Sequence, residues 1–325
     1  MTSTPIELPL DATTRARLSR GELAAETSAP KRTKKRLTSR TATIASLIIA
    51  VLWTIPTFGL FVSSVRPGVL VQTTGWWTIF QNWGFTFQNY SDVLKAGNGQ
   101  LNLAGSFINS LAITIPATAI PLVLASLAAY AFAWIDFKGK NWLFIAVFAM
   151  QIVPIQMALV PLLSLFSRGL KIGNVQLFQS LGTVDGSYAQ VWIAHTIFAL
   201  PLAIFLLHNF IAEIPQELVE AARVDGAGHG QIFFRIILPL TMPAIASFAI
   251  FQFLWVWNDL LVALIFASGE AAPMTKLLAE ITGTRGQDWN LLTAGAFISI
   301  LVPLIVFFAL QRFFVRGLLA GSTKG

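Results

Sequence analysis

Glu213-Ile-Pro-Gln-Glu-Leu-Val-Glu220-Ala-Ala-Arg-Val-Asp225-Gly226, continuing Ala-Gly-His-Gly-Gln-Ile-Phe-Phe-Arg-Ile236-Ile-Leu238-Pro239-Leu240, is a mixed polar stretch between two long apolar blocks. Pro215 suits the first turn of a helix, where no amide partner is needed. Glu217 and Glu220 stand near that helix's start and complement its dipole. Leu218, Ala221, Ala222 and Asp225 share a face at helical spacing. The two alanines on it leave room for another protein to approach closely. Gly226, with Gly228 and Gly230 behind it, turns the chain. Residues 231–238 resume an apolar run, and Pro239 leads into the next block. This spacing predicts a short helix held at both ends by longer ones, a shape suited to a lever. An ordinary ordered loop is the alternative.

The chain around this stretch is 55% hydrophobic and only 11% charged, whereas soluble domains carry about 25% charged residues. Charges are excluded from long blocks instead of being spread over helix faces. Six blocks, roughly 43–65, 105–134, 142–166, 190–211, 241–267 and 290–314, meet the ~20-residue requirement for a membrane helix. They lack the polar–apolar alternation of barrel strands. The expected fold is an all-α membrane protein with six transmembrane helices. Pro56, Pro116, Pro121, Pro154, Pro161, Pro201 and Pro303 fall within or beside these blocks. Interior prolines kink helices, and membrane bundles accommodate such kinks.

An even number of spans places both termini on one side. The formal net charge is +7, and much of the excess lies at Arg15, Arg17, Arg20, Lys31, Arg32, Lys34, Lys35, Arg36 and Arg40. A basic run before an apolar span holds the tail in the cytoplasm; this favours a topology signal over a nucleic-acid site. The expected organisation is a basic cytoplasmic tail over 1–42, a six-helix domain over 43–318 containing the 213–240 loop, and a cytoplasmic C-terminal tail over 319–325. The connector 66–104 then lies outside, with Trp76, Trp77, Trp83, Phe85, Phe87 and Tyr90. These aromatics fit an interfacial belt, or else a surface facing a sugar or a partner.

Cysteine is absent, which removes disulfides, thiolate metal sites and cysteine nucleophiles together. No stretch reads Gly-x-x-x-x-Gly-Lys-Ser/Thr, so no phosphate-cradling loop is present. The run from Gly226 to Gln231 breaks the dinucleotide pattern at Gln231. His195, His208 and His229 stand in no metal-ligand spacing, and the first two suit interhelical polar contacts. No catalytic residue, metal site or bound cofactor is expected in this chain. Asp259 is the one carboxylate within a span, placed in the fifth. An ionisable group there faces the bundle interior or water. Asn258 and Asp259 are therefore candidates for a substrate path, with a structural cap as the alternative for Asp259.

The loop resembles the EAA motif of ABC importer permeases. Glu220, Ala221, Ala222, Gly226, Ile236, Leu238 and Pro239 match it at every spacing, and Asp225 also fits. The sugar-transporting branch, in the subgroup similar to the second maltose-type permease, is suggested by several stretches. These are Asn109-Ser-Leu, Leu127-Ala-Ala-Tyr-Ala131, Trp257-Asn-Asp259, Asp288-Trp289 and Gln311-Arg-Phe-Phe-Val-Arg-Gly317. The C-terminal Ser322-Thr323 departs from the Ala-Val more usual there. The resemblance covers about 44–325 and implies a type I ABC importer permease (MetI-like) fold. It implies that the 213–240 loop docks on a nucleotide-binding subunit. It also implies a second homologous permease, two ATPase subunits holding ATP and Mg, and an external sugar-binding protein. The expected location is a bacterial or archaeal cytoplasmic membrane. An ion-coupled transporter acting alone would leave the loop unexplained, and a membrane enzyme would lack any acid, base or metal constellation.

Overall fold

The structure is a computed structural model whose described residues are 40–97, 101–182, 187–281 and 288–322, with side chains described as far as residue 309 in the last helix. Most of the predicted N-terminal tail and the last residues of the C-terminal one lie outside them. Contacts divide the chain into Met1–Leu60 and Phe61–Gly325. The first unit contributes most of helix α1, Arg40–Ser64, whose apolar side chains are exposed nearly throughout. A helix apolar all round is built for lipid or for another apolar surface.

The second unit continues with α2 (Gly68–Thr73), α3 (Gln88–Lys95), α4 (Leu103–Trp134), α5 (Lys140–Ala149) and α6 (Ile155–Arg168). A hairpin of β1 (Leu170–Ile172) and β2 (Val175–Phe178) follows, the only sheet among the described residues. Then come α7 (Ala189–Ala212), α8 (Gln216–Val224), α9 (His229–Ile232), α10 (Leu238–Trp257), α11 (Leu261–Phe266), α12 (Met274–Ile281) and α13 (Trp289–Ser322). Among the described residues, five helices are long and apolar enough to cross a membrane, or six where the bent pair is one span.

Helices α4 and α7 form the centre. Ala117, Ala125 and Ala129 of α4 and Ala194, Ala199 and Ala203 of α7 are all buried. Small residues let membrane helices approach closely, so packing can replace the hydrophobic driving force that lipid does not supply. Gly295 does the same for α13. A Cβ there would collide with Leu278 of α12 and crowd Val93 of α3 and Leu103 of α4.

Two of the expected spans differ from the sequence reading. The third, expected as one helix over 142–166, is bent by 104° between Lys140–Ile152 and Ile155–Arg168. Pro154 is the cause: its ring disfavours helical geometry at the preceding residue, and Val153 is extended at φ −70°, ψ 119°. The fifth, expected over 241–267, runs instead from His229 to Trp257. Its first turns include a π-helical stretch, Phe233–Ile237. That wider turn ends just before Pro239, which could not have donated an ordinary i→i−4 bond.

The connector after α1 is ordered around a buried cation that composition alone conceals. Arg66 is fully buried; its guanidinium donates to Gly75 O and Thr74 Oγ1, each at 2.9 Å. Asn89 donates to Ser64 O and Arg66 O at 2.9 and 2.7 Å and accepts from Asn290 of α13 at 2.9 Å. Trp77, Phe80, Trp83, Phe85 and Phe87 remain exposed. Tyr90 is instead used internally, its hydroxyl 2.7 Å from Ser64 Oγ.

Candidate functional site: the 213–240 loop and the break after Trp257

Pro215 sits at the N-cap of α8, with φ −55° and ψ 130°, one position before the first helical turn in which the sequence places it. Glu217 occupies the first turn and Arg223 the last, so both ends complement the helix dipole. Val219 is 1% exposed. It is buried in a cluster with Leu207 and Ile211 of α7, Ala129 and Tyr130 of α4, and Ile232 and Ile237 of the following turns. The predicted common face therefore splits. Ala222 leans half-buried toward this cluster, while Leu218, Glu220, Ala221 and Asp225 are exposed. Val224 is 87% exposed. The outward face thus combines carboxylates with Leu218 and Val224.

The helix stops for a stated reason. Ala227 N–H donates to Ala222 O at 2.9 Å and Gly226 N–H to Arg223 O at 3.0 Å. This is a Schellman motif, which requires a left-handed residue at Gly226. Gly226 has φ +83°, and a Cβ there would touch nothing within 4 Å. Glycine is thus required for its backbone angle rather than for space. Gly228 then caps α9, its N–H reaching Gln231 Oε1 at 3.1 Å. Among the described residues, Glu220 makes only a local bond, accepting from Gln216 Nε2 at 2.6 Å.

The loop is also tied to the second span. The hydroxyl of Tyr130 and Nδ1 of His229 are 2.9 Å apart, and the Tyr130 ring meets Phe233 edge to face at 5.4 Å. Arg223 reaches Trp134 O at 3.4 Å. The sequence reading assigned the loop's connections to the fourth and fifth spans alone. Tyr130 lies inside a stretch singled out earlier, but nothing linear pairs it with a residue 99 positions away. Further along, Ile237 is fully buried. Ile236 and Leu238 are half-buried, and Pro239 is exposed.

At the other end of the same span, the helix stops at Asn258. The Asp259 side chain, 9% exposed, accepts from Val262 N–H at 3.3 Å and Ala263 N–H at 3.0 Å. It thereby satisfies the open first turn of α11. His195 Nε2 of α7 lies 3.7 Å away, and Thr275 Oγ1 donates to the Asp259 carbonyl at 2.7 Å. Asn258 is exposed and donates to Leu254 O at 2.8 Å. The segment after α11 is pinned by the Asn109-Ser110 pair of α4. Asn109 donates to Glu270 O at 2.6 Å and Ala272 O at 3.0 Å, and Ser110 Oγ accepts from Met274 N–H at 2.8 Å. Among the described residues, the structure does not bring Asn258 and Asp259 together with the residues of the 213–240 loop. The two groups sit at opposite ends of one helix.

A bundle of apolar helices with, among the described residues, one broken span and a short outward-facing helix rooted in its core defines a multi-span membrane protein. The chain belongs to the binding-protein-dependent transport system inner membrane component family, whose pattern matches residues 121–319. It is 52% identical over 287 residues to the osmoprotective compounds uptake permease protein GgtD of Synechocystis, covering 86% of this chain and 91% of that one. It is 51% identical over 243 residues to the alpha-glucoside transport system permease protein AglG of Rhizobium meliloti, covering 74% of this chain and 61% of that one. A chain in the crystal structure of a bacterial ABC transporter that imports the acidic polysaccharide alginate shares the fold. Its TM-score is 0.60 at 20% identity, over 85% of this chain and 98% of that chain. The fold is thus that of an ABC importer permease, and the protein is a membrane transport component.

Proposed function

We propose that this chain translocates a sugar or oligosaccharide and is driven by a separate ATPase through the 213–240 loop. The observation that carries the coupling is α8. It is anchored by buried Val219, ended by the Gly226 motif, and presents Glu220, Ala221 and Asp225 with exposed Leu218 and Val224. A helix held this firmly transmits a push instead of absorbing it. Because Val219 shares a cluster with α4, α7 and the start of the fifth span, a push on α8 reaches three spans at once. The substrate class is supported by similarity to permeases for osmoprotective compounds and alpha-glucosides.

In this proposal ATP and Mg reside in two ATPase subunits, whose closure presses the α8 helices of this chain and of a second permease together. The spans rock between inward and outward access, and sugar delivered by an external binding protein crosses between the two permeases. The basic tail over 1–42 and the C-terminal residues 319–325 lie in the cytoplasm of a bacterium or archaeon, flanking the membrane domain over 43–318. Ile236, Leu238 and Pro239 carry the push into the fifth span. Asn258, exposed at the break, offers an amide to the path, and Asp259 holds that break in shape.

Co-purification of the complex in detergent, followed by ATPase and uptake assays, tests the coupling. Wild type is expected to bring down a separate ATPase, and Glu220→Lys to lose it or to uncouple it. Uptake by Glu220→Lys at the wild-type rate, or transport by the chain alone without ATP, overturns it.

A further inference from the structure

We propose that the elbow of the third span, with the facing sides of α7 and α10, forms a subsite for a pyranose ring within this chain. This inference rests on the sugar-importer reading and goes beyond it by placing ring contacts here rather than in the partner permease alone. The elbow opens a cavity of about 340 Å³ whose walls include Gln151, Phe198, Phe248, Phe251, Gln252 and Trp255. A smaller one of about 140 Å³ shares Gln151, Ile155 and Phe198 with it and continues past Ile197 and Pro201. The larger is within the range of roughly 300–1,000 Å³ usual for small-molecule pockets.

The chemistry of the walls selects the occupant. Gln151 lies in the 3-10 turn Met150–Ile152, just before the elbow. Among the described residues its amide has no hydrogen-bond partner. Gln252 donates through Nε2 to Ala117 O at 3.1 Å, which leaves its Oε1 unspent among the described residues. Trp255 Nε1 has no acceptor among them either. Unpaired polar groups at membrane depth are costly unless water or a ligand meets them. Here the side chains of Gln151, Gln252 and Trp255 line one space in which four residues are aromatic. A pyranose ring is made for such a space: its C–H face packs on aromatic rings and its hydroxyl edge both donates and accepts. A purely apolar occupant such as an acyl chain would leave all three polar groups unmet.

The complete lack of cysteine makes Gln151→Cys a unique thiol in this chain, and Gln151 is exposed with no bond to lose. The assembled importer would be placed in nanodiscs, and uptake of maltose, an alpha-glucoside, and of trehalose, glucose and melibiose measured in liposomes. Labelling by a water-soluble maleimide is expected, slowed severalfold by saturating amounts of whichever sugar wild type transports. Gln151→Leu and Trp255→Phe are expected to raise KM for that sugar several-fold to about tenfold, the scale of one lost hydrogen bond, with ATPase activity retained. A thiol that stays unlabelled in the assembled importer means lipid or the partner permease fills the space, and overturns the subsite. Labelling indifferent to a transported sugar, with KM unchanged, also overturns it while leaving the importer reading intact. No saturable uptake of any of the four by wild type removes the sugar reading itself, and the subsite with it.

Discussion

The span from His229 to Trp257 carries an aspartate break at each end, and the two breaks are built in opposite ways. Asp225-Gly226 leads into it with the carboxylate exposed, and the turn is closed entirely by backbone bonds around a left-handed glycine. Asn258-Asp259 follows it with the carboxylate nearly buried and closing the turn itself, through two backbone N–H groups. A turn closed by its backbone frees its side chains for a partner; a turn closed by a side chain spends that side chain on the fold. Similar residues after a helix therefore have different consequences, and charge alone does not say which.

The largest test of this contrast is charge reversal. Glu220→Lys is expected to abolish uptake while the protein still inserts, because Glu220 has only Gln216 to lose. Measured insertion with full uptake would erase the difference between the two ends. Gly226→Ala comes next. Forcing a side chain into the left-handed region costs about 1–2 kcal/mol, and with nothing within 4 Å of the new Cβ that cost is purely conformational. Uptake is expected to fall at unchanged membrane abundance. Asp259→Ala should leave the N–H groups of Val262 and Ala263 without their acceptor and lower the detergent melting midpoint, by about 1 kcal/mol on the scale of a lost side-chain acceptor at a helix start. Asparagine keeps one of the two acceptor oxygens, so Asp259→Asn should lower that midpoint less. A drop in uptake by Asp259→Asn at normal stability would give the carboxylate a direct role in the path.

Smaller effects sharpen the picture at the loop. Tyr130→Phe deletes the bond to His229 but keeps the ring packing against Phe233. One neutral hydrogen bond contributes about 0.5–1.5 kcal/mol. The expected result is a reduced ratio of sugar moved to ATP hydrolysed, read from paired assays on one preparation. An unchanged ratio would leave the loop's mechanical connection to the packing of Val219 and Phe233 and to the Arg223 contact with Trp134. Gln216→Ala removes only an exposed i,i+4 contact, worth a few tenths of a kcal/mol, and uptake within error of wild type is expected.

Much of the fold was legible in the chain. Apolar blocks that exclude charge have few options in a membrane, so the number of spans and most of their limits follow from length and hydropathy. The limits of the second, fourth and sixth spans agree with that reading near their starts. The third and fifth do not, and proline is involved in both. Its effect depends on whether the helix breaks, as at Val153-Pro154, or widens by a π turn, as before Pro239. Hydropathy averages over both outcomes. The outward residues of the candidate site, Glu220, Ala221, Asp225 and Gly226, were visible because motif spacing is local. Val219, Tyr130 and His229 were not, because an apolar residue on a short helix and two polar tips 99 positions apart acquire meaning only when the helices meet.

By itself, the sequence determined a multi-span helical membrane protein, a turn at Gly226 and a family motif, since each depends on solvent exclusion or on backbone geometry within a few residues. Tertiary structure alone decided that the loop is rooted in α4 as well as in its own flanking spans, that Asp259 is spent on a helix start, and that a bent third span leaves unpaired polar groups around one aromatic-walled space. Those outcomes depend on which distant surfaces pack together, and packing is a property of the assembled bundle that no linear window contains.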